Sequence, residues 1–215
     1  MSTTRVQLID KNTTVGTAAA EDTKIVFDGN AQDYHIGLDD SDDSLTIGLG
    51  SALGTTSYMN INADGSITKP LQPAFLVKPA SNQSDFAQGS VVTIDFGTEV
   101  FDNNGDFASN TFTAPVTGRY CFQFAIQINQ ISNQDSALYY YIELNTSNRQ
   151  YYNLSAIQEA VGSSAGQLYF TLSASALADM DANDTVTCRV VHGGTSGTGP
   201  SDISTNSHWS GFLVC

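Results

Sequence analysis

Apolar and polar residues alternate in short runs along this chain, and clusters of Gly, Asn, Asp and Ser separate the runs. A repeat of two residues is the signature of strands half-covered by a core, so the pattern predicts an all-β protein. Between residues 24 and 70 such runs fall at 24–27, 34–38, 44–49 and 57–61. Asp28-Gly29-Asn30, Asp39 to Asp43, Gly50, Gly54 and Asp64-Gly65 punctuate them, the last a tight-turn signal. This predicts a small β-meander. So short a sheet, with open edges, cannot hide its own apolar face, and it is expected to pair with copies of the same chain.

Beyond Pro70 the runs lengthen. Strands are predicted at 90–94, 98–101, 120–128, 137–144, 151–157, 167–172, 185–191 and 208–215. In 120–128, Tyr120, Phe122, Phe124, Ile126 and Ile128 share one face, which makes it the clearest half-buried strand. The stretch 112–119 is expected to bend, because Pro115 cannot donate to a ladder and Gly118 precedes the next run. About eight antiparallel strands in one segment suggest a double-sheet jelly roll. The resulting division is an N-terminal attachment segment at 1–23, a meander forming a shaft or foot at 24–70, and a jelly-roll head at 71–215.

Charge narrows the partners. Eight Lys and Arg stand against 22 Asp and Glu, a formal charge of −14. A nucleic-acid site needs clustered basic residues, and an acidic field repels polyanions and anionic membranes, so neither is expected as a partner. No apolar run approaches the length of a membrane span, and the start, Met1-Ser2-Thr3-Thr4-Arg5, lacks a signal peptide's apolar stretch. The odd number of cysteines, Cys121, Cys188 and Cys215, reads as thiols made in a reducing cytosol.

Catalysis finds little support. Gly162-Ser163-Ser164-Ala165-Gly166 matches a nucleophile elbow literally, but that motif needs a helix after it, whereas a strand-like run follows. His35, His192 and His208 lack zinc-site spacing. Nothing points to the paired carboxylates of a glycosidase. Asp39 to Asp43 and Asp102 to Asp106 offer hard oxygens that could hold calcium, yet neither continues to the Glu of an EF-hand loop. Solvated Asp/Asn turns are the simpler reading, so neither an enzyme nor a cofactor is expected.

Several segments of the head carry a family resemblance. Pro73-Ala74-Phe75, Asn104-Gly105 with Phe107, the run Phe112-Thr113-Ala114-Pro115-Val116-Thr117-Gly118-Arg119-Tyr120-Cys121-Phe122, Asn183-Asp184-Thr185-Val186 and Ser210-Gly211-Phe212-Leu213-Val214 together resemble the globular head of the complement C1q and tumour necrosis factor superfamily. The family usually has Gly at the position of Asn183. The resemblance implies a ten-stranded jelly roll assembled as a homotrimer. Aromatic residues of Tyr139-Tyr140-Tyr141 and Phe122-Gln123-Phe124 read as lying on both faces of their strands, more than one sandwich interior can hold. Phe75, Phe122, Phe124, Tyr139, Tyr141 and Phe212 are therefore expected at the trimer interface.

The N-terminal half is similar to virion fibre proteins of marine tailed bacteriophages, especially those of cyanobacteria. The residues that carry this are Lys24 to Asn30, Gln32-Asp33-Tyr34, Ile36 to Asp40, Leu45 to Gly48 and Asn62 to Thr68. The implied protein is a virion component assembled in the host cytoplasm. Its N-terminus would dock on other virion proteins and its head would bind a host-surface glycan or outer-membrane receptor. A capsid or baseplate decoration without a receptor, or a polysaccharide-degrading tail spike, are the alternatives. Counting antiparallel strands sends the segments 129–136, 158–166 and 192–206 to the end of the head away from its entry. Candidate receptor contacts there are Gln130, Asn133, Gln158, Ser163, His192, Thr195, Thr198, Ser201 and Asp202.

Overall fold

The computed structural model describes residues 13–131, 139–156, 168–193 and 201–215, and these described residues form eighteen strands and no helix. Two compact units divide the chain, Met1–Leu71 and Gln72–Cys215.

The first unit is one antiparallel sheet in sequence order: β1 (Thr23–Phe27), β2 (Tyr34–Asp39), β3 (Ser44–Leu49), β4 (Ser57–Ile61) and β5 (Ile67–Thr68). Hairpin connections give each strand its sequence neighbour, as expected when Asp-Gly and Asp-rich turns close the loops. Its two faces are unlike. His35, Asp39, Ser44 and Thr46 are buried. His35 Nδ1 lies 2.9 Å from the Gly50 carbonyl, and a Cβ on Gly54 would stand 2.9 Å from the Asp39 carboxylate, so the segment after β3 returns over this polar face. The opposite face is apolar, and residues of successive strands stand in register on it. One row runs Ile25, Ile36, Ile47, Met59, and a second runs Leu38, Leu45, Ile61, Ile67. Ile25, Leu38 and Ile67 are half or more exposed.

The head is a sandwich of two antiparallel sheets. One sheet contains β8 (Val91–Thr93), β10 (Phe107–Ala108), β11 (Thr111–Thr113), β13 (Tyr139–Thr146), β14 (Gln150–Ala156) and β16 (Thr185–Gly193). The other contains β6 (Ala74–Lys78), β7 (Gln83–Phe86), β9 (Thr98–Asp102), β12 (Gly118–Ile131), β15 (Leu168–Met180), β17 (Ser201–Ile203) and β18 (His208–Leu213). Between them lies the core, where Phe75, Phe112, Phe122, Tyr120, Tyr140 and Trp209 are fully buried. The alternation read in 120–128 holds, since all five residues of its apolar face are buried.

Three features depart from the sequence reading. The stretch 112–119 does not simply bend: β11 occupies Thr111–Thr113 and pairs with Thr185–Thr187, so Pro115 falls in the short link to β12. β15 runs on to Met180, eight residues past the predicted end, because its inward Ala174, Ala176 and Ala178 stand opposite Phe124, Phe122 and Tyr120. Small residues are needed where the partner strand presents large rings, and they carry little hydrophobic contrast. The segment 192–206 is not one long loop either, since His192 and Gly193 end β16 and Ser201–Ile203 form β17.

Asn183 occupies the left-handed region at φ 73°, and its N–H donates to the Ala114 carbonyl at 2.8 Å. Asn and Gly tolerate that conformation while other side chains clash with their own backbone. Asn183→Ala is therefore expected to lower head stability by about 1–2 kcal/mol, whereas Asn183→Gly leaves the denaturation midpoint unchanged or higher. Denaturant titration of the two variants checks the difference.

Candidate functional site

The first and last strands of the head bring their outer termini together: Ala74 pairs with Phe212, and Phe212 with Cys121. The opposite end of β12 carries Asn129 and Gln130. There β12 bulges between Ile128 and Ile131, so two residues oppose Tyr169 of β15. A bulge redirects the side chain it frees, and Gln130 pays the conformational cost with a left-handed φ of 58°. Its Nε2 donates to Asp202 Oδ2 at 2.6 Å, while the Asp85 N–H donates to Asp202 Oδ1 at 2.9 Å. Asn129 pairs across the sheet with Asp202. On the outer face beside them, Asn206 Nδ2 donates to Gln127 Oε1 at 2.9 Å, and the Thr205 N–H donates to Asn82 Oδ1 at 3.0 Å. Asn82, Gln127, Asn129, Gln130, Asp202, Ser204 and Asn206 line a polar cleft of about 450 Å³, and Tyr169 stands at it 71 % exposed.

Only part of the sequence-derived contact set reaches this cleft. Gln130 is exposed in it, and Asp202 lines it although the residue is 3 % exposed. His192 and Ser201 are corrections. Both point into the sandwich: the His192 ring stacks on Tyr140 at 4.4 Å, and Ser201 Oγ shares a 2.6 Å hydrogen bond with the Tyr140 hydroxyl. They anchor the far end of the core and are closed to a receptor. Asn133, Gln158, Ser163, Thr195 and Thr198 lie outside the described residues, as does the 162–166 elbow motif. The residues missed were Gln127, Asn129, Tyr169 and Asn206. Register brings Asn129 and Tyr169 together at the bulge, and a hydrogen bond draws the turn residue Asn206 to Gln127; Asn129 and Asn206 fall inside the segments 129–136 and 192–206 sent to this end, but nothing in the sequence marks Gln127 or Tyr169.

Three of the expected interface residues are likewise corrected. Phe75 and Phe122 are fully buried and Phe124 is 5 % exposed, all inside the protomer's own core. Phe122 and Phe124 are two residues apart in one strand, hence on one face, and that face is inward. Tyr139, Tyr141 and Phe212 lie at the surface to different degrees. Tyr139 stacks on Tyr141 at 6.2 Å, and Tyr141 meets Tyr152 edge-on at 5.5 Å, forming a ladder that ends at the Glu143–Arg189 ion pair. Burial raises the Tyr141 phenol above its ordinary value, and the Glu143 charge adds to the effect. The other sheet's outer face carries an apolar row in register across four strands: Ala74, Phe212, Cys121 and Leu177.

The acidic turns are used locally. Asp102 accepts the N–H groups of Asp106 and Phe107, and Asp39 accepts the N–H and hydroxyl of Ser41. No group of three His, Cys, Asp or Glu among the described residues could hold a metal ion. All three cysteines are free thiols. Cys188 is fully buried, and desolvation pushes its thiol far above the ordinary range, whereas Cys215 is exposed. A thiol reagent added to native protein is expected to label Cys215 and to reach Cys188 only after denaturant is added, as read by peptide mass spectrometry.

Two facing antiparallel sheets with Greek-key crossings define a jelly-roll binding or structural module. The C1q domain model matches residues 74–214, and the chain belongs to that family. Its domains are typically non-enzymatic and commonly associate as trimers. Among solved structures, the globular domain of zebrafish complement 1qA is similar at 18 % identity, over 67 % of this chain and 98 % of that one, with a TM-score of 0.43. Crystal structures of murine APRIL at pH 8.0 and pH 5.0 are each 9 % identical over 66 % of this chain and 99 % of theirs, with TM-scores of 0.45 and 0.44. Comparison with curated proteins finds no match.

Proposed function

We propose that this chain is a homotrimeric fibre protein of a tailed-phage virion, docked on the particle through its N-terminal segment and binding a host-surface receptor with the far end of its head. The observation that carries the reading is the amount and placement of uncovered apolar surface. On the head, the tyrosine ladder and the row through Phe212 and Leu177 lie on outer faces of opposite sheets. They are unlike surfaces, so a contact between them is heterologous and closes by rotation into a ring. The family's common trimeric state supports a ring of three. The meander's apolar rows call for the same partners, and a trimeric head would hold three meanders at high effective concentration. The phage assignment is supported by the similarity of residues 24–68 to marine phage fibres.

Sedimentation of the full chain tests the assembly: a mass three times 22.9 kDa is expected, and a monomer would overturn it. Binding of the fluorescently labelled chain to host cells tests adhesion. A trimer that leaves every candidate host unlabelled would favour a decoration protein, and release of reducing sugar would favour a degrading spike.

A further inference from the structure

We infer that the cleft between Gln127, Asn129, Gln130, Tyr169, Asp202 and Asn206 takes a neutral sugar unit of a surface polysaccharide. The inference rests on the adhesive reading above and names the ligand class of the same end of the head.

The chemistry of the lining selects the ligand. Among the described residues, no Lys or Arg lines the cleft, and the one carboxylate that does, Asp202, is nearly enclosed in a chain of net charge −14. An anionic ligand would meet an unpaired carboxylate without a compensating cation. Both Asp202 oxygens already accept an N–H donor, so that carboxylate organises the wall instead of presenting bare charge. Four carboxamide side chains supply most of the remaining polar groups, with Asn82 adding a fifth beside the Ser204 hydroxyl. A carboxamide both donates and accepts, as a sugar hydroxyl does. Gln127 spends its oxygen on Asn206 and keeps its NH₂; Asn206 spends its NH₂ and keeps its oxygen. A donor and an acceptor therefore stand side by side, the arrangement that adjacent hydroxyls of a pyranose require. Gln130 adds a further acceptor oxygen, because its NH₂ is held by Asp202.

Tyr169 supplies the complementary apolar contact. The C–H face of a pyranose is its one greasy surface, and an exposed aromatic ring beside polar anchors receives it. A protein partner would instead look for buried aromatic and Arg anchors, which are lacking among the described residues of the cleft. The wall is also set in advance. The bulge fixes Gln130, Asp202 fixes its amide, and Asp85 fixes Asp202, so little side-chain freedom remains to be lost on binding. The volume of about 450 Å³ lies within the range of small-ligand sites. The apolar row through Cys121 lies eight residues along β12 from Asn129, about 26 Å at strand spacing, so cleft and row are separate surfaces.

The test is retention of the full chain on immobilised neutral gluco-, galacto- and manno-oligosaccharides beside their sulfated and sialylated counterparts. At least one neutral series is expected to hold the chain ten-fold or more above its charged counterpart. Tyr169→Ala and Gln127→Ala are each expected to weaken that retention ten-fold or more, and Tyr169→Trp to keep it, with sedimentation mass unchanged in all three and Trp209 fluorescence unchanged in the two alanine variants. Retention on charged sugars alone, on none of the arrays, or equally by wild type and both alanine variants would overturn the inference. If the chain is trimeric and labels host cells but ignores neutral sugars, the cleft assignment fails alone; if it is monomeric and adheres to nothing, the adhesive reading fails with it.

Discussion

Phe75→Ala is expected to lower the unfolding free energy of the head by about 3–5 kcal/mol. Its ring lies 5.2 Å from Phe107, 5.0 Å from Phe112, 6.3 Å from Phe122 and 5.0 Å from Trp209, so four aromatic neighbours lose a wall at once. Ordinary domains have about 5–15 kcal/mol to lose, which makes the change a large share of the total. Trp209 is the only tryptophan in the chain and touches the new cavity, so its fluorescence reports the transition directly. Gly211→Ala attacks the same packing from the other side. A Cβ there would stand 2.5 Å from Phe122 and 2.7 Å from Phe75, inside contact distance, and both rings lie in a filled core. Overpacking of this kind costs about 1–3 kcal/mol. If Phe75→Ala shifted the midpoint no more than a surface change does, Phe75 would not be the centre of this core.

Strand period made the head legible. β12 alternates large apolar residues with smaller or polar ones, and the segments carrying the family resemblance coincide with this packing: Phe75, Phe112, Phe122 and Gly211 meet at one point. Depth was not legible. Phe122 and Phe124 looked like surplus aromatic surface, but the facing strand offers only Ala176 and Ala174, and that leaves room for both rings inside. Ser201 and Asp202 looked like loop residues because they sit after a Gly- and Ser-rich stretch. Their strand forms by pairing with β7 and β12, whose residues are distant in sequence. In the meander, alternation placed the strands but could not say which face is covered. The segment after β3 covers the face of His35 and Thr46, and the Ile and Leu rows are left open.

That open face yields the second large effect. Ile47→Asp puts a carboxylate in the middle of the row Ile25, Ile36, Ile47, Met59. If three copies bury these rows against one another, each copy loses about 1.5–3 kcal/mol of isoleucine burial. Each also gains a desolvated charge that faces two others of the same sign, a penalty of several kcal/mol more. A small sheet with that face unpaired is marginal in water. Trypsin reads the outcome at Lys24, which lies in β1, since Lys69 is followed by Pro70 and is not a tryptic site. The wild-type meander is expected to resist cleavage at Lys24, while Ile47→Asp is cut there within minutes and leaves a protected fragment that starts at Ile25. Thr46→Val, one residue away on the face already covered, provides the contrast and is expected to remain resistant. Equal cleavage of wild type and Ile47→Asp would mean that nothing covers the isoleucine row, and the shared shaft would have to be abandoned even if the heads alone form a trimer.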